Sequence, residues 1–283
     1  MEILVSTDWL ADNIDGLVVL DASSHLPAAG RDAHSEFLER HIPGARFLDL
    51  PSLKDEMSDV PSALPTSEQF AQRLGSLGVK PSDHVVLYDD SILRSSARAF
   101  FIFTIFGFEN VALLDGGFEK WYSEGGSVES RQPLIVPCNF PATKDNRENI
   151  RSKAAVLANC DTRAEQIVDA RDAARFTGEA VDMVHDLPGG HIPGARNLFF
   201  RNLLDADGSF KGTEALQAEF ARAGLDLTRP ITASCGSGMT ASVILFAMKL
   251  LKRQGSLYDG SWSEWGADPE TPKETGPMRS EAH

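Results

Sequence analysis

The sequence predicts an α/β protein of two tandem domains, each a mainly parallel sheet flanked by helices, and three observations carry that prediction. First, His41-Ile42-Pro43-Gly44-Ala45-Arg46 recurs letter for letter as His191-Ile192-Pro193-Gly194-Ala195-Arg196. Second, the flanking elements recur in the same order. Val19-Leu20-Asp21-Ala22 answers Ile167-Val168-Asp169-Ala170, and Asp115-Gly116-Gly117-Phe118-Glu119-Lys120-Trp121 answers Asp259-Gly260-Ser261-Trp262-Ser263-Glu264-Trp265. Third, short apolar runs alternate with helical patterns in each copy, which implies crossover connections and a sheet covered on both faces. The chain has 283 residues, room for two domains at ~150 residues each. A period this long exceeds that of solenoid repeats, so each copy should bury its own core.

In the first copy, residues 17–21, 84–88 and 111–114 read as buried strands, being short, apolar and followed by turn formers. Residues 67–77 read as a helix opened by a serine cap at Ser67, and 95–106 as a helix apolar on most faces. The second copy repeats the pattern with strands at 166–169, 231–234 and 256–258 and helices at 213–223 and 239–253. Between them, Pro133, Pro137 and Pro141 precede a polar run, the composition of a linker. The expected division is therefore a domain over 1–130, a linker over 131–149 and a second domain over 150–283.

The 27 Lys and Arg against 41 Asp and Glu give a net charge of −14. That excludes a nucleic-acid partner and disfavours anionic membranes, because both need clustered cations. The composition, 42% hydrophobic and 24% charged, is that of an ordinary globular protein. No apolar run approaches the ~18 residues of a membrane span, and Met1-Glu2 opens no basic leader; the expected location is the cytoplasm. The three cysteines, Cys138, Cys160 and Cys235, are odd in number and lack C-x-x-C spacing, so neither a disulfide framework nor a zinc site is expected.

Chemistry concentrates where one strand ends. The run Ser234-Cys235-Gly236-Ser237-Gly238-Met239-Thr240-Ala241 leads from a strand through a glycine-containing turn into a helix. Gly236 and Gly238 allow positive φ, so backbone N–H groups can converge into an anion nest, and the helix adds its positive end. A thiol placed there ionises more readily, and a persulfide anion one atom further out still faces the same donors. The competing reading is a buried cysteine acting as a small hydrophobe. In the first copy Asp89 stands opposite Cys235 and Ser91-Ile92 replace the Gly-Ser-Gly run, so that copy is expected to have lost the cradle.

On these residues the chain resembles the two-domain rhodanese-type sulfurtransferases, and the 3-mercaptopyruvate sulfurtransferase branch in particular. Phe37-x-x-x-His41-Ile42-Pro43-Gly44-Ala45 resembles the family's amino-side signature and Tyr258 to Trp265 its carboxy-side one, while Cys235-Gly236-Ser237-Gly238-Met239-Thr240 differs from the mercaptopyruvate loop at Met239 alone. The resemblance implies an inactive first domain and a second domain whose Cys235 becomes a persulfide. It implies donor contacts from Gly236, Gly238, Met239 and Thr240, a hydrogen bond from Ser237, and a carboxylate site at Arg175, for which a bidentate guanidinium is suited. It also implies a small sulfur donor, a thiol, cyanide or reduced protein dithiol as acceptor, and no metal or organic cofactor. Thiosulfate enzymes usually carry basic residues after the cysteine; here those places are Gly236 and Ser237. Two departures stand out. The second arginine usual seven residues before the His-Ile-Pro-Gly signature is Val184, with His185 beside it, and the family's aspartate and histidine fall near Pro51 and Ser62.

Other chemistries fit less well. A cysteine phosphatase needs an arginine where Ala241 stands, and a serine hydrolase elbow around Ser237 lacks its first glycine, which is Cys235. His41 and His191 precede Pro-Gly turns and read as turn-fixing residues, Trp262 and Trp265 as core anchors on a short helix. No Walker loop or G-x-G-x-x-G is present. Two alternatives stay open: a thiosulfate sulfurtransferase, and a non-catalytic carrier that holds a persulfide for a protein partner.

Overall fold

The computed structural model of the chain describes residues 1–143 and 145–278. They divide into two compact units, one of residues 1–57, 64–147 and 205–210, the other of 58–63, 148–204 and 211 onward. The first unit runs β1 (Leu4–Val5), α1 (Thr7–Asn13), β2 (Val18–Asp21), α2 (Ala33–Glu39), β3 (Arg46–Phe47), α3 (Ser67–Ser76), β4 (Val85–Tyr88), α4 (Ser96–Ile105), β5 (Val111–Leu114) and α5 (Gly117–Ser123). The second repeats this order as β6 (Ile150–Arg151), α6 (Lys153–Thr162), β7 (Gln166–Asp169), α7 (Ala173–Thr177), β8 (Arg196–Asn197), α8 (Thr213–Arg222), β9 (Ile231–Ser234), α9 (Ala241–Leu250), β10 (Ser256–Tyr258) and α10 (Ser261–Trp265).

Both sheets are parallel and share one topology, β1-β5-β4-β2-β3 and β6-β10-β9-β7-β8. The central strands β4 and β9 are buried at every residue, as expected when helices cover both faces. In the second unit Asp169 at the end of β7 stands beside Ser234 at the end of β9. The chain therefore leaves both strands side by side, and the segments after β7 and β9 meet above the sheet edge where ligands gather in such folds.

The six strands read from the sequence all appear, each with the expected ends or one residue shorter. The two-residue strands β1, β3, β6 and β8 were not expected, being too short to show a period. The cap of α3 also differs from expectation. Thr66, not Ser67, accepts from the Gln69 amide at 3.2 Å, and the Gln69 side chain accepts from the Thr66 amide at 2.8 Å. This reciprocal box satisfies two helix-end donors at once. Helix α9 begins at Ala241 rather than Met239, because Met239 and Thr240 remain in the turn above it. Within the proline-bearing segment after α5, Phe140 is buried with its ring near Phe70 and Phe108, and Cys138 takes the Gly75 carbonyl with its amide and the Val79 carbonyl with its thiol.

The repeated His-Ile-Pro-Gly segment builds the same corner twice. Gly44 and Gly194 take φ of 73° and 76°, which a residue with a Cβ adopts only at a cost. The Ala45 and Ala195 amides then close the turn on Ile42 and Ile192. His41 stacks on Phe37 at 4.1 Å and His191 on Phe176 at 3.8 Å, each ring bonded through Nδ1 to its partner's carbonyl. Both histidines are buried turn fasteners, with no cluster of metal-binding side chains among the described residues.

Asp21, at the end of β2, is buried beside Tyr88 and Asp89, and burial lifts its carboxyl to about 7 against the opposing bond from Ser23. A carboxyl that binds its proton more tightly folded than unfolded supports the fold at low pH and withdraws that support as pH rises towards 7. Asp21→Asn is expected to flatten the dependence of stability on pH between the ordinary carboxylate range and about 7, as measured by urea denaturation at stepped pH.

Candidate active site

Cys235 follows β9 directly and is 1% exposed. Its surroundings are set by α10, which takes up the loop's carbonyl groups. The Cys235 carbonyl accepts from the Trp262 amide at 3.0 Å and the Gly236 carbonyl from the Ser263 amide at 2.8 Å, while the Cys235 amide donates to Ser261 Oγ at 3.2 Å. Further on, the Gly238 carbonyl accepts from Ser242 Oγ and the Met239 and Thr240 carbonyls from the Ser242 and Val243 amides. By contrast, the amides of Gly236, Ser237, Gly238, Met239 and Thr240 donate to no acceptor among the described residues. Thr240 makes no side-chain cap on α9 either. A run of satisfied carbonyls and open amides at a helix N-terminus is an anion cradle.

Only one of the two glycines is there for its backbone. Gly238 takes φ of 80°, but Gly236 does not have positive φ. Gly236 instead makes room: a methyl group in place of its hydrogen would stand 2.3 Å from Cε1 of His185. Ser237 and Met239 are half-buried, and Thr240 is buried.

In the first unit, the copy expected to have lost the cradle, the loop amides are taken up from within. Its loop after β4 fastens the Asp89 carbonyl to the Phe118 amide as Cys235 is fastened to Trp262. Here the Asp89 carboxyl itself accepts from the Ser91 amide at 2.9 Å and the Ser96 amide at 2.8 Å. Burial pushes this carboxyl up, opposed by Arg94 and by those bonds.

A buried charge network lies beside Cys235. Arg171, 1% exposed, forks onto Asp169 with Nε at 3.0 and 3.1 Å and Nη2 at 2.6 Å, donates to the Gly190 carbonyl, and lies 4.5 Å over the Trp262 ring. Burial opposes its charge, but Asp169, Asp182 and Cys235 more than offset that. Asp182 is wholly buried between the exposed Val181 and Met183. Burial pushes its carboxyl up, yet the bond from His185 and the charges of His185, Arg175 and Arg171 hold it below the ordinary range. Sequence reasoning missed Arg171 and Asp182; the one available signal was an arginine two residues after the strand-ending Asp169.

Arg175 sits in the one-turn helix α7, where Asp172 caps the helix by accepting from the Arg175 amide at 3.0 Å and from Nε at 2.6 Å. Its Nη1 lies 3.6 Å from Asp182 Oδ1. The same Oδ1 accepts from His185 Nδ1 at 3.0 Å, and the His185 ring covers Gly236. The structure therefore links Arg175 to the cysteine loop through Asp182 and His185, and leaves it partly exposed. Of the other cysteines, Cys138 is bonded to Val79 and Cys160 has its thiol pushed up by burial; neither has a comparable cradle.

A doubled parallel α/β unit with a cysteine loop in the second copy defines a class of tandem sulfur-handling domains. Family comparison agrees, with the model for the rhodanese-like domain matching residues 6–124 and 152–268, and the chain belongs to that family. It is 41% identical over 271 residues to 3-mercaptopyruvate sulfurtransferase of Rattus norvegicus, covering 93% of this chain and 91% of the relative. It is 40% identical over 280 residues to thiosulfate sulfurtransferase of Bos taurus, covering 95% and 94%. The crystal structure of SseA from Escherichia coli superposes with a TM-score of 0.83 at 36% identity, covering 93% of this chain and 99% of that one. By these relatives the protein is a sulfurtransferase. No helix among the described residues is long and apolar enough to cross a membrane.

Arg171→Met would leave Asp169 and Asp182 buried without their cation. The expected loss is ~3–5 kcal/mol of stability, measured by urea denaturation; a loss under ~1 kcal/mol would show that the network carries little of the fold.

Proposed function

We propose that the protein moves sulfur from 3-mercaptopyruvate through a persulfide on Cys235 to a thiol, cyanide or reduced protein dithiol, releasing pyruvate. The observation that carries this reading is the run of open amides from Gly236 to Thr240 directly after the buried Cys235. The cradle favours the Cys235 thiolate as nucleophile and then the persulfide anion that replaces it. Ser237 donates a hydrogen bond to the leaving group, while Gly236, Gly238, Met239 and Thr240 line the donor's seat. Arg175, partly exposed and already aligned by Asp172, binds the donor's carboxylate. The neutral Gly236 and Ser237 favour a monoanionic donor over the compact thiosulfate dianion. Thiosulfate remains the second donor reading, because a thiosulfate sulfurtransferase is as similar over as much of the chain. The scheme uses no metal or organic cofactor, and its need for reduced thiols fits a cytoplasmic setting.

The first test is mass spectrometry after incubation with 3-mercaptopyruvate. A ~32 Da adduct on Cys235, absent from Cys235→Ser, is the expected covalent intermediate; no adduct with either mercaptopyruvate or thiosulfate would leave the carrier and enzyme readings equally without support. Arg175→Ala is expected to lower kcat/KM for mercaptopyruvate by about 10- to 150-fold, the worth of a charged hydrogen bond, chiefly through KM. Unchanged steady-state kinetics would remove Arg175 from the site.

A further inference from the structure

The geometry points to His185, held by Asp182, as the acid that protonates the enolate leaving from the sulfur donor. This inference rests on the mercaptopyruvate reading above and adds to it the group that completes the product. The ring is held at Nδ1 by Asp182 Oδ1 at 3.0 Å. Asp182 is wholly buried and stays a carboxylate, so it orients the ring and supplies a fixed negative charge beside it. The other nitrogen, Nε2, has no partner among the described residues, and it would lie 3.2 Å from a methyl group placed on Gly236. The residue next to the nucleophile is therefore roofed by an imidazole with one nitrogen anchored and one open. The other charges at Asp182 come from the segment after β7, where Arg171 and Arg175 are also paired with Asp169 and Asp172.

The step balances without an outside reagent. The Cys235 thiolate attacks the donor's sulfur, an S–S bond forms, and the C–S bond breaks with its electron pair moving onto the pyruvyl carbon as an enolate. His185 Nε2–H gives its proton to that carbon, completing the methyl group of pyruvate. The donor carbon is reduced from C–S to C–H while the sulfurs are oxidised to the persulfide. The Cys235–S–SH proton then returns to Nε2, which restores the imidazolium and leaves the persulfide as the anion the cradle favours. Thiosulfate has no such demand, because sulfite leaves stably without a proton.

The test compares His185→Gln with the parent protein on both donors, following persulfide formation in single turnovers, with thermal melting to verify folding. A proton-transfer role predicts about a 100-fold or greater fall in kcat with mercaptopyruvate, with at least a tenfold smaller fall with thiosulfate. A fall of less than tenfold with mercaptopyruvate, or an equal fall with both donors, would overturn the role of His185 while leaving the parent's sulfur transfer intact. A parent that forms no persulfide from mercaptopyruvate would instead overturn the functional reading itself, and the role of His185 with it.

Discussion

The form of the cysteine loop depends on the way α10 draws off its first carbonyl groups. The Trp262 and Ser263 amides take the carbonyls of Cys235 and Gly236, and Ser261 Oγ takes the Cys235 amide. With the first two carbonyls taken by α10 and the later ones by the start of α9, the loop is left with open amides. Such amides carry partial positive charge at no cost in side-chain entropy, and electrostatic interactions are strong where water is excluded. The two tryptophans of α10 matter through this geometry, because their burial holds the short helix in the place from which it reaches the loop.

A second constraint supports the first. A buried anion is costly unless opposite charge lies close by, and Arg171 is the buried cation whose charge is felt with that of Cys235. Its own burial is compensated by the fork onto Asp169, the Gly190 carbonyl and the face of Trp262. Trp262 therefore serves both arrangements: its amide grips the Cys235 carbonyl and its ring underlies the guanidinium. The parallel register that sets Asp169 beside Ser234 brings the two together, so the sheet topology and the chemistry are not separable.

How much of this was legible in sequence follows from the range of the interactions. Four-residue strands such as Val111–Leu114 were readable because burial on both faces leaves a continuous apolar run, whereas Leu4–Val5 and Arg46–Phe47 are defined by their neighbours in the sheet and have no pattern of their own. The Cys235 loop was readable because its turn residues are contiguous. Asp182 was not, since it lies in a stretch of exposed residues, Val181, Met183 and Val184, and only the fold buries it against Arg171 and His185. Gly236 was readable as a glycine but for the wrong reason: its backbone is ordinary, and what forbids a side chain is the ring of His185, contributed from far along the chain.

The doubling of the chain offers an internal comparison that sharpens the meaning of the cradle. Both copies set a residue directly after the central strand and fasten its carbonyl to the following helix, by Phe118 in one and Trp262 in the other. In the first copy that residue is Asp89, whose carboxylate is held by the Ser91 and Ser96 amides. Burial pushes that carboxyl up while the two amides and Arg94 oppose it, so the socket supplies donors suited to negative charge. In the second copy the side chain in that place is a thiol, which leaves the corresponding loop amides without an internal acceptor. The two copies thus differ in the side chain at the head of one loop while sharing the bond that fastens its carbonyl.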